Sequence, residues 1–133
     1  LINSFNSDNL IFETIRSESN GTEYVYTTYT YDSNNNLTEF VRYDTDNVII
    51  DLGTYKYDSN GNRIEWTRLD ENGNSYVYVT FKYNSNNDRL EQLVFNEDGS
   101  IRSQYIYTYD SNYNFLGFVY YNNGVFREKV TYW

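Results

Sequence analysis

Residues 72–86 read Asn-Gly-Asn-Ser-Tyr-Val-Tyr-Val-Thr-Phe-Lys-Tyr-Asn-Ser-Asn. The centre, Tyr76–Tyr83, is a run of β-branched and aromatic side chains without helical periodicity, which is the composition of a strand. On one side Asn72-Gly73 tolerates φ > 0 and predicts a tight type I′ hairpin turn. On the other, Asn84-Ser85-Asn86 predicts a looser reversal closed by side-chain-to-backbone bonds of the Asx kind. A strand between two chain reversals is the unit of an antiparallel meander.

The unit recurs. Tyr31, Tyr57, Tyr83 and Tyr109 stand 26 residues apart, with Phe5 in the same phase. Directly after them come Asp32-Ser33-Asn34, Asp58-Ser59-Asn60, Asn84-Ser85-Asn86 and Asp110-Ser111-Asn112. Half a repeat away lie Asn20-Gly21, Asp46-Asn47, Asn72-Gly73 and Asp98-Gly99, with Asn123-Gly124 one residue early. A register held this long is a tandem repeat. The units run over 5–30, 31–56, 57–82, 83–108 and 109–133. The predicted fold is therefore all-β: one domain, an antiparallel meander of about ten strands, twisted or coiled in a solenoid-like or partly closed form.

Composition narrows the function classes. Hydrophobic content is 39%, with Tyr 17, Phe 8 and Trp 2, and the chain has no Pro, Cys, Met or His. Tyrosine suits half-buried surfaces, so a thin sheet is expected rather than a thick globule. Without proline nothing interrupts strand pairing, and without cysteine no disulfide contributes. Lacking both Cys and His, the chain has no ordinary zinc, haem or iron–sulfur ligand set and no Ser-His-Asp or Cys-His catalytic group. A net charge of -9 disfavours nucleic acid, whose phosphates require clustered Lys and Arg. No apolar run reaches the roughly 20 residues of a membrane helix. Acids spread through every unit read as surface rather than as one active site, so the chain is expected not to be an enzyme.

Two ladders of like charge follow the repeat: Glu13, Glu39, Glu65 and Glu91, ending at Gly117, and Arg16, Arg42 and Arg68. They read as a solvated face, with ionic contact to a neighbouring chain as the sharper alternative. Apolar residues fall on both faces. Ile15, Val41, Leu93 and Val119 share one side, and Phe40, Trp66 and Phe118 the other. A sheet solvated on one side alternates more cleanly than this. Both faces are expected to need cover, by curling or by other chains.

Tyr55–Ile64, Tyr-Lys-Tyr-Asp-Ser-Asn-Gly-Asn-Arg-Ile, resembles the YD repeat of bacterial Rhs proteins and the related teneurins. Tyr29–Leu37 and Tyr107–Leu116 are closer still to asparagine-rich repeats of secreted and surface proteins of the Bacteroidota. The resemblance implies a surface-exposed or secreted β-repeat scaffold with no catalytic residue. The period of 26 exceeds the roughly 20–22 usual for YD repeats, so the closed shell of those families does not carry over.

Three sets of candidate residues remain. Asp32, Asn34, Asn36, Asp58, Asn60 and Asn62 place oxygens at alternate positions, as in the opening of a calcium loop. Turn chemistry is the competing explanation, and no bidentate Glu follows at the twelfth position. The same pattern stands at Asn84-Asn86-Asp88 and Asp110-Asn112-Asn114. Trp66, Tyr76 and Tyr78, with Trp133, are candidates for stacking on a sugar ring, against cross-strand packing as the plainer reading. Leu1, Ile2, Tyr132 and Trp133 are candidate assembly edges. The sequence begins at Leu1 rather than Met, and Leu1–Ser4 and Val130–Trp133 share one phase of the repeat. That reads as a piece of a longer array, or as copies joining head to tail through open strand edges. The expected function is an extracellular structural repeat protein of a fibre or surface layer, with a carbohydrate-binding or adhesin module as the alternative.

Overall fold

A computed structural model describes residues 2–17 and 24–132. Eleven strands follow one another: β1 (Ile2–Phe5), β2 (Ile11–Ser17), β3 (Tyr24–Tyr31), β4 (Leu37–Tyr43), β5 (Ile49–Tyr57), β6 (Arg63–Leu69), β7 (Ser75–Tyr83), β8 (Arg89–Phe95), β9 (Ile101–Tyr109), β10 (Phe115–Asn122) and β11 (Val125–Thr131). They form one antiparallel meander in which spatial order equals sequence order. The sheet is open, with β1 and β11 at its edges. The count is eleven rather than ten because one strand type occurs at both ends of the array. Among the described residues the backbones of only sequence-adjacent strands come together, so the molecule is a single layer.

One turn type closes both ends of the strands. In Asp32–Asn36 the Asn35 N–H donates to the Asp32 carbonyl at 3.1 Å, and the Asp32 N–H donates to the Asn36 carbonyl at 2.9 Å. Asn35 takes φ 65°. This is a three-residue loop: a type I turn followed by a left-handed residue that opens a bulge. The half-repeat turns are expected to be two-residue type I′ hairpins, yet Asp44–Val48, Asp70–Asn74 and Asn96–Ser100 repeat the same bonds, with Asn47, Gly73 and Gly99 in the left-handed position. The Asp44 and Asp70 carboxylates take the turn's backbone N–H groups before the following pair can act as a two-residue turn, and at Asn96 the side-chain amide donates to the Ser100 hydroxyl. Only Asn123 (φ 47°) and Gly124 (φ 73°) form the expected tight turn among the described residues. Asn20-Gly21 lies outside them.

Bulges shift the register once in every described strand pair but β2–β3, as between Lys56 and Tyr57 or Trp66 and Thr67. Cross-strand rows nevertheless run far. On one face Lys82, Glu91, Ile106, Val119 and Lys129 are successive partners. On the other Tyr55, Trp66, Val79, Val94 and Ser103 are. The buried hydrophobic set is Val41, Val79 and Val94. Aromatic rings spread over the second face supply the remaining cover.

The anchor tyrosines have a further job. Tyr31, Tyr57, Tyr83 and Tyr109 each donate their hydroxyl to the carbonyl 20 residues earlier, on Ile11, Leu37, Arg63 and Arg89, at 2.8–3.0 Å. That carbonyl belongs to the first residue of the preceding strand, beside its turn. Each link ties the end of one hairpin strand across to the start of the other.

Candidate functional site

The turn carboxylates are built into the backbone. Asp32 Oδ1 accepts the N–H groups of Asn34 and Asn36, both at 2.9 Å, while Asn36 Nδ2 donates to Oδ2 at 3.0 Å. Asp58 and Asp110 do the same with Asn62 and Asn114. The side-chain amide first, and then the backbone donors, hold the Asp32, Asp58 and Asp110 carboxyls below the ordinary range. At Asp70 the Asn74 N–H is the larger cause, and at Asp98 the Ser100 hydroxyl is.

Of the six calcium candidates, Asp32, Asn34, Asn36, Asp58 and Asn60 line one groove of about 700 Å³ between adjacent turns. Asn62 instead donates to Asn87 Oδ1 of the next turn at 2.8 Å. Asn36 and Asn62 present an N–H, not an oxygen, to their carboxylates. A cation entering the groove has to displace these donors. Among the described residues no three acidic side chains converge on one point.

The sugar candidates do come together. Trp66 on β6 and Tyr78 on β7 meet edge to face at 4.9 Å, and Tyr78 meets Tyr76 edge to face at 6.3 Å. The Arg68 guanidinium lies 5.3 Å from the Tyr78 ring and 5.7 Å from the Trp66 ring, and Arg102 lies 5.5 Å from Tyr78 and donates to its hydroxyl at 3.0 Å. Trp66 Nε1 and Arg68 Nε are buried without a hydrogen-bond partner. Gly53, between Phe40 and Arg68 in the cross-strand row, makes room for this cluster. A Cβ there would overlap the Phe40 ring and lie 2.9 Å from Trp66 Nε1.

Part of each charge ladder is paired within the sheet. Lys56 pairs with Glu65 at 2.7 Å and Lys82 with Glu91 at 2.5 Å. The Lys82 contact, with that of Gln104, holds the Glu91 carboxyl below its ordinary range. Arg42 and Arg68 share Asp51, each at 3.7 Å. The Arg16 side chain lies outside the described set.

At the edges, Ile2 on β1 is 65% exposed and Tyr132 is 55% exposed. The Tyr132 ring packs 5.6 Å from Phe115, and its N–H donates to the Leu116 carbonyl. Leu1 and Trp133 lie outside the described residues.

Two features are not anticipated by the repeat: the tyrosine links and the partition of cations. Arg42, which pairs with Asp51, and Arg63, Arg68, Arg89 and Arg102, which lie over aromatic rings, share one face. Lys56 and Lys82 pair with glutamates on the other. A signal existed in the spacing, since Arg63 and Arg89 are 26 residues apart, as are Arg42 and Arg68.

No protein-family model matches the chain, and no curated protein sequence does. Among solved structures it is similar to a porin-like protein from Bacteroides uniformis ATCC 8492, at 17% identity and a TM-score of 0.47. The match covers 86% of this chain and spans 56% of the length of that one.

Proposed function

We propose that the chain is an extracellular or cell-surface structural repeat protein that forms, or belongs to, a fibre or surface assembly. The contacts are strand edges and repeat surfaces, and the chain has no catalytic role. The observation that carries this reading is the single layer. Among the described residues sixteen large hydrophobic side chains are exposed, against three buried valines. Consecutive exposed pairs such as Ile49-Ile50 and Val125-Phe126 lie six strands apart, roughly 29 Å, so they cannot cover one another within one chain. Another surface covering them removes that apolar area from water.

The strand count constrains how copies meet. β1 and β11 run in the same direction, because strands alternate and both are odd. A translated copy therefore meets β11 with β1 in parallel, the slightly weaker pairing. Antiparallel edge pairing needs a two-fold axis, β11 on β11 or β1 on β1. Continuation of a longer repeat array is the other arrangement this proposal admits. Sedimentation velocity with negative-stain imaging over a concentration series tests self-assembly. Oligomers or filaments of uniform width are expected, and a strictly monomeric chain at the highest concentration sinks that reading.

A second reading, a glycan-binding module on the same scaffold, is favoured by one observation. Trp66, Tyr76 and Tyr78 meet on adjacent strands, with the Arg68 and Arg102 guanidiniums beside the Tyr78 ring. Binding to an array of neutral and acidic glycans is its test.

A further inference from the structure

The described turns hold three Asn-Gly pairs and one Asp-Gly pair, and the fold puts them in two different states. In three of them the glycine amide is engaged. The Gly61 N–H donates to the Asp58 carbonyl and the Gly73 N–H to the Asp70 carbonyl, both at 3.1 Å, and the Gly99 N–H donates to the Asn96 carbonyl at 3.0 Å. Each glycine is the last residue of a three-residue loop, and that bond closes the loop. The Asn123-Gly124 turn between β10 and β11 has two residues only, flanked by the paired Asn122 and Val125. Here the Asn123 N–H donates to the Arg102 carbonyl at 2.9 Å, which anchors the turn from the neighbouring strand. Among the described residues neither the Gly124 N–H nor the Asn123 side-chain amide has a partner, and both residues are exposed.

We propose that Asn123 is a site of non-enzymatic deamidation, set apart from Asn60 and Asn72 by the free amide of Gly124. The Gly124 main-chain nitrogen gives up its proton to water or hydroxide and attacks the Asn123 Cγ. A C–N bond forms, the Cγ–Nδ2 bond breaks, and the side-chain nitrogen leaves as ammonia, taking up the proton that the attacking nitrogen lost. The product is a five-membered succinimide, which water opens at one carbonyl or the other to leave aspartate or isoaspartate. Nothing is oxidised or reduced, and water is the only co-reactant. A hydrogen bond to the neutral N–H disfavours its ionised form, so Gly61 and Gly73 are poor nucleophiles while their loops stay closed. The Asp58 and Asp70 carboxylates hold those loops further, each accepting the N–H of the asparagine that would react, at 2.9 Å. At Gly124 no bond has to break before the nitrogen can attack.

The site lies in the hairpin that holds β11 to the sheet. Isoaspartate routes the main chain through the side-chain methylene and so adds a carbon to a two-residue turn, whose φ values of 47° and 73° belong to its closed form. Asn122 with Val125 and Tyr121 with Phe126 are the pairs next to the turn, the two rings of the latter lying 6.1 Å apart. A longer turn separates these pairs first and loosens β11 from that end. Either product also adds one negative charge to a chain whose net charge is already -9.

The experiment incubates the full chain in mildly alkaline buffer, folded and in parallel in concentrated urea, and follows each asparagine by peptide mapping and mass spectrometry. In the folded chain Asn123 is expected to convert about fivefold or more faster than Asn60 and Asn72, roughly the factor that one hydrogen bond supplies. In urea the three rates are expected to converge. Equal rates in the folded chain overturn the proposal. An advantage for Asn123 that persists undiminished in urea overturns it too, since the cause is then the neighbouring sequence and not the turn. The isoaspartate form, separated by anion exchange, is expected to unfold at a lower urea concentration than the parent. Asn123→Asp supplies the charge without the extra carbon and is expected to keep the parent's midpoint. An isoaspartate form as stable as the parent, or an equal fall in Asn123→Asp, overturns the link between the longer turn and β11.

Discussion

Gly53→Ala tests whether the aromatic face is packed as described. Gly53 is buried in β5, with Phe40 and Arg68 as its cross-strand partners. In open space the substitution stabilises a strand by about 0.5–1 kcal/mol, because alanine loses less conformational freedom on folding. Here the new methyl would overlap the Phe40 ring edge and come within 2.9 Å of Trp66 Nε1. Overpacking of this kind costs about 1–3 kcal/mol. The ring must move off the sheet, disturbing the Phe40–Tyr55 and Tyr55–Trp66 contacts at 6.2 and 5.9 Å. The net expectation is destabilisation by about 1–2 kcal/mol, a fall in the urea midpoint of roughly 0.5–1 M for an ordinary m-value. In a Phe40→Ala background the ring overlap is gone while the 2.9 Å approach to Trp66 Nε1 remains, so adding Gly53→Ala should cost about 1 kcal/mol less than it does in the parent. The double-mutant cycle by urea titration reads both numbers. A single variant as stable as the parent would show that the ring does not rest on Gly53, and would refute the reasoning.

The remaining expectations are shorter. Tyr57→Phe removes the hydroxyl bond to the Leu37 carbonyl at 2.8 Å and should cost about 0.5–1.5 kcal/mol, with the same loss at Tyr31 and Tyr83; chemical denaturation showing no change at any of the three would dismiss the links as incidental. Tyr113 occupies the left-handed turn position at φ 65°, where the other described three-residue turns place Asn or Gly, so Tyr113→Gly should raise stability by up to about 1 kcal/mol, and a lower melting temperature would contradict this. Because the folded carboxyls of Asp32, Asp58 and Asp110 lie below their unfolded value of about 3.9, their contribution is present above that pH and is lost as pH falls through the folded values. Acid unfolding should begin below about pH 4, and Asp58→Asn, which copies the natural Asn84 turn, should weaken the pH dependence while keeping the backbone bonds; an unchanged acid profile would count against it.

The repeat is legible because its signals are local. Strand composition at Tyr76–Tyr83, the Asp-Ser-Asn turns and the spacing of the tyrosines each lie within a few residues, and local chemistry suffices to make strands and reversals. Even there, Asn72-Gly73 misleads as a two-residue turn, since Asp70 two positions earlier takes the N–H groups of Asn72 and Asn74 and sets a three-residue loop. The candidate site is only partly legible. Trp66, Tyr76 and Tyr78 stand out as aromatics, but their meeting with Arg68 and Arg102 does not.

Strict alternation explains that failure. Arg63 and Arg68 are five residues apart on β6 and by parity belong on opposite faces, yet both lie over rings of the same face, at Tyr55 and Trp66. The bulge between Lys56 and Tyr57 shifts the pairing at the end of that hairpin and re-aims the side chain. By itself, then, the sequence determined an all-β meander of tandem hairpins, because period and turn chemistry are properties of neighbouring residues. Only the tertiary structure decided that the layer is single and open, that its edges run the same way, and that arginine gathers on one face and paired lysine on the other. The edge direction follows from the odd number of strands, while the partition of cations depends on where each bulge slips the register, and a bulge is settled jointly by two strands.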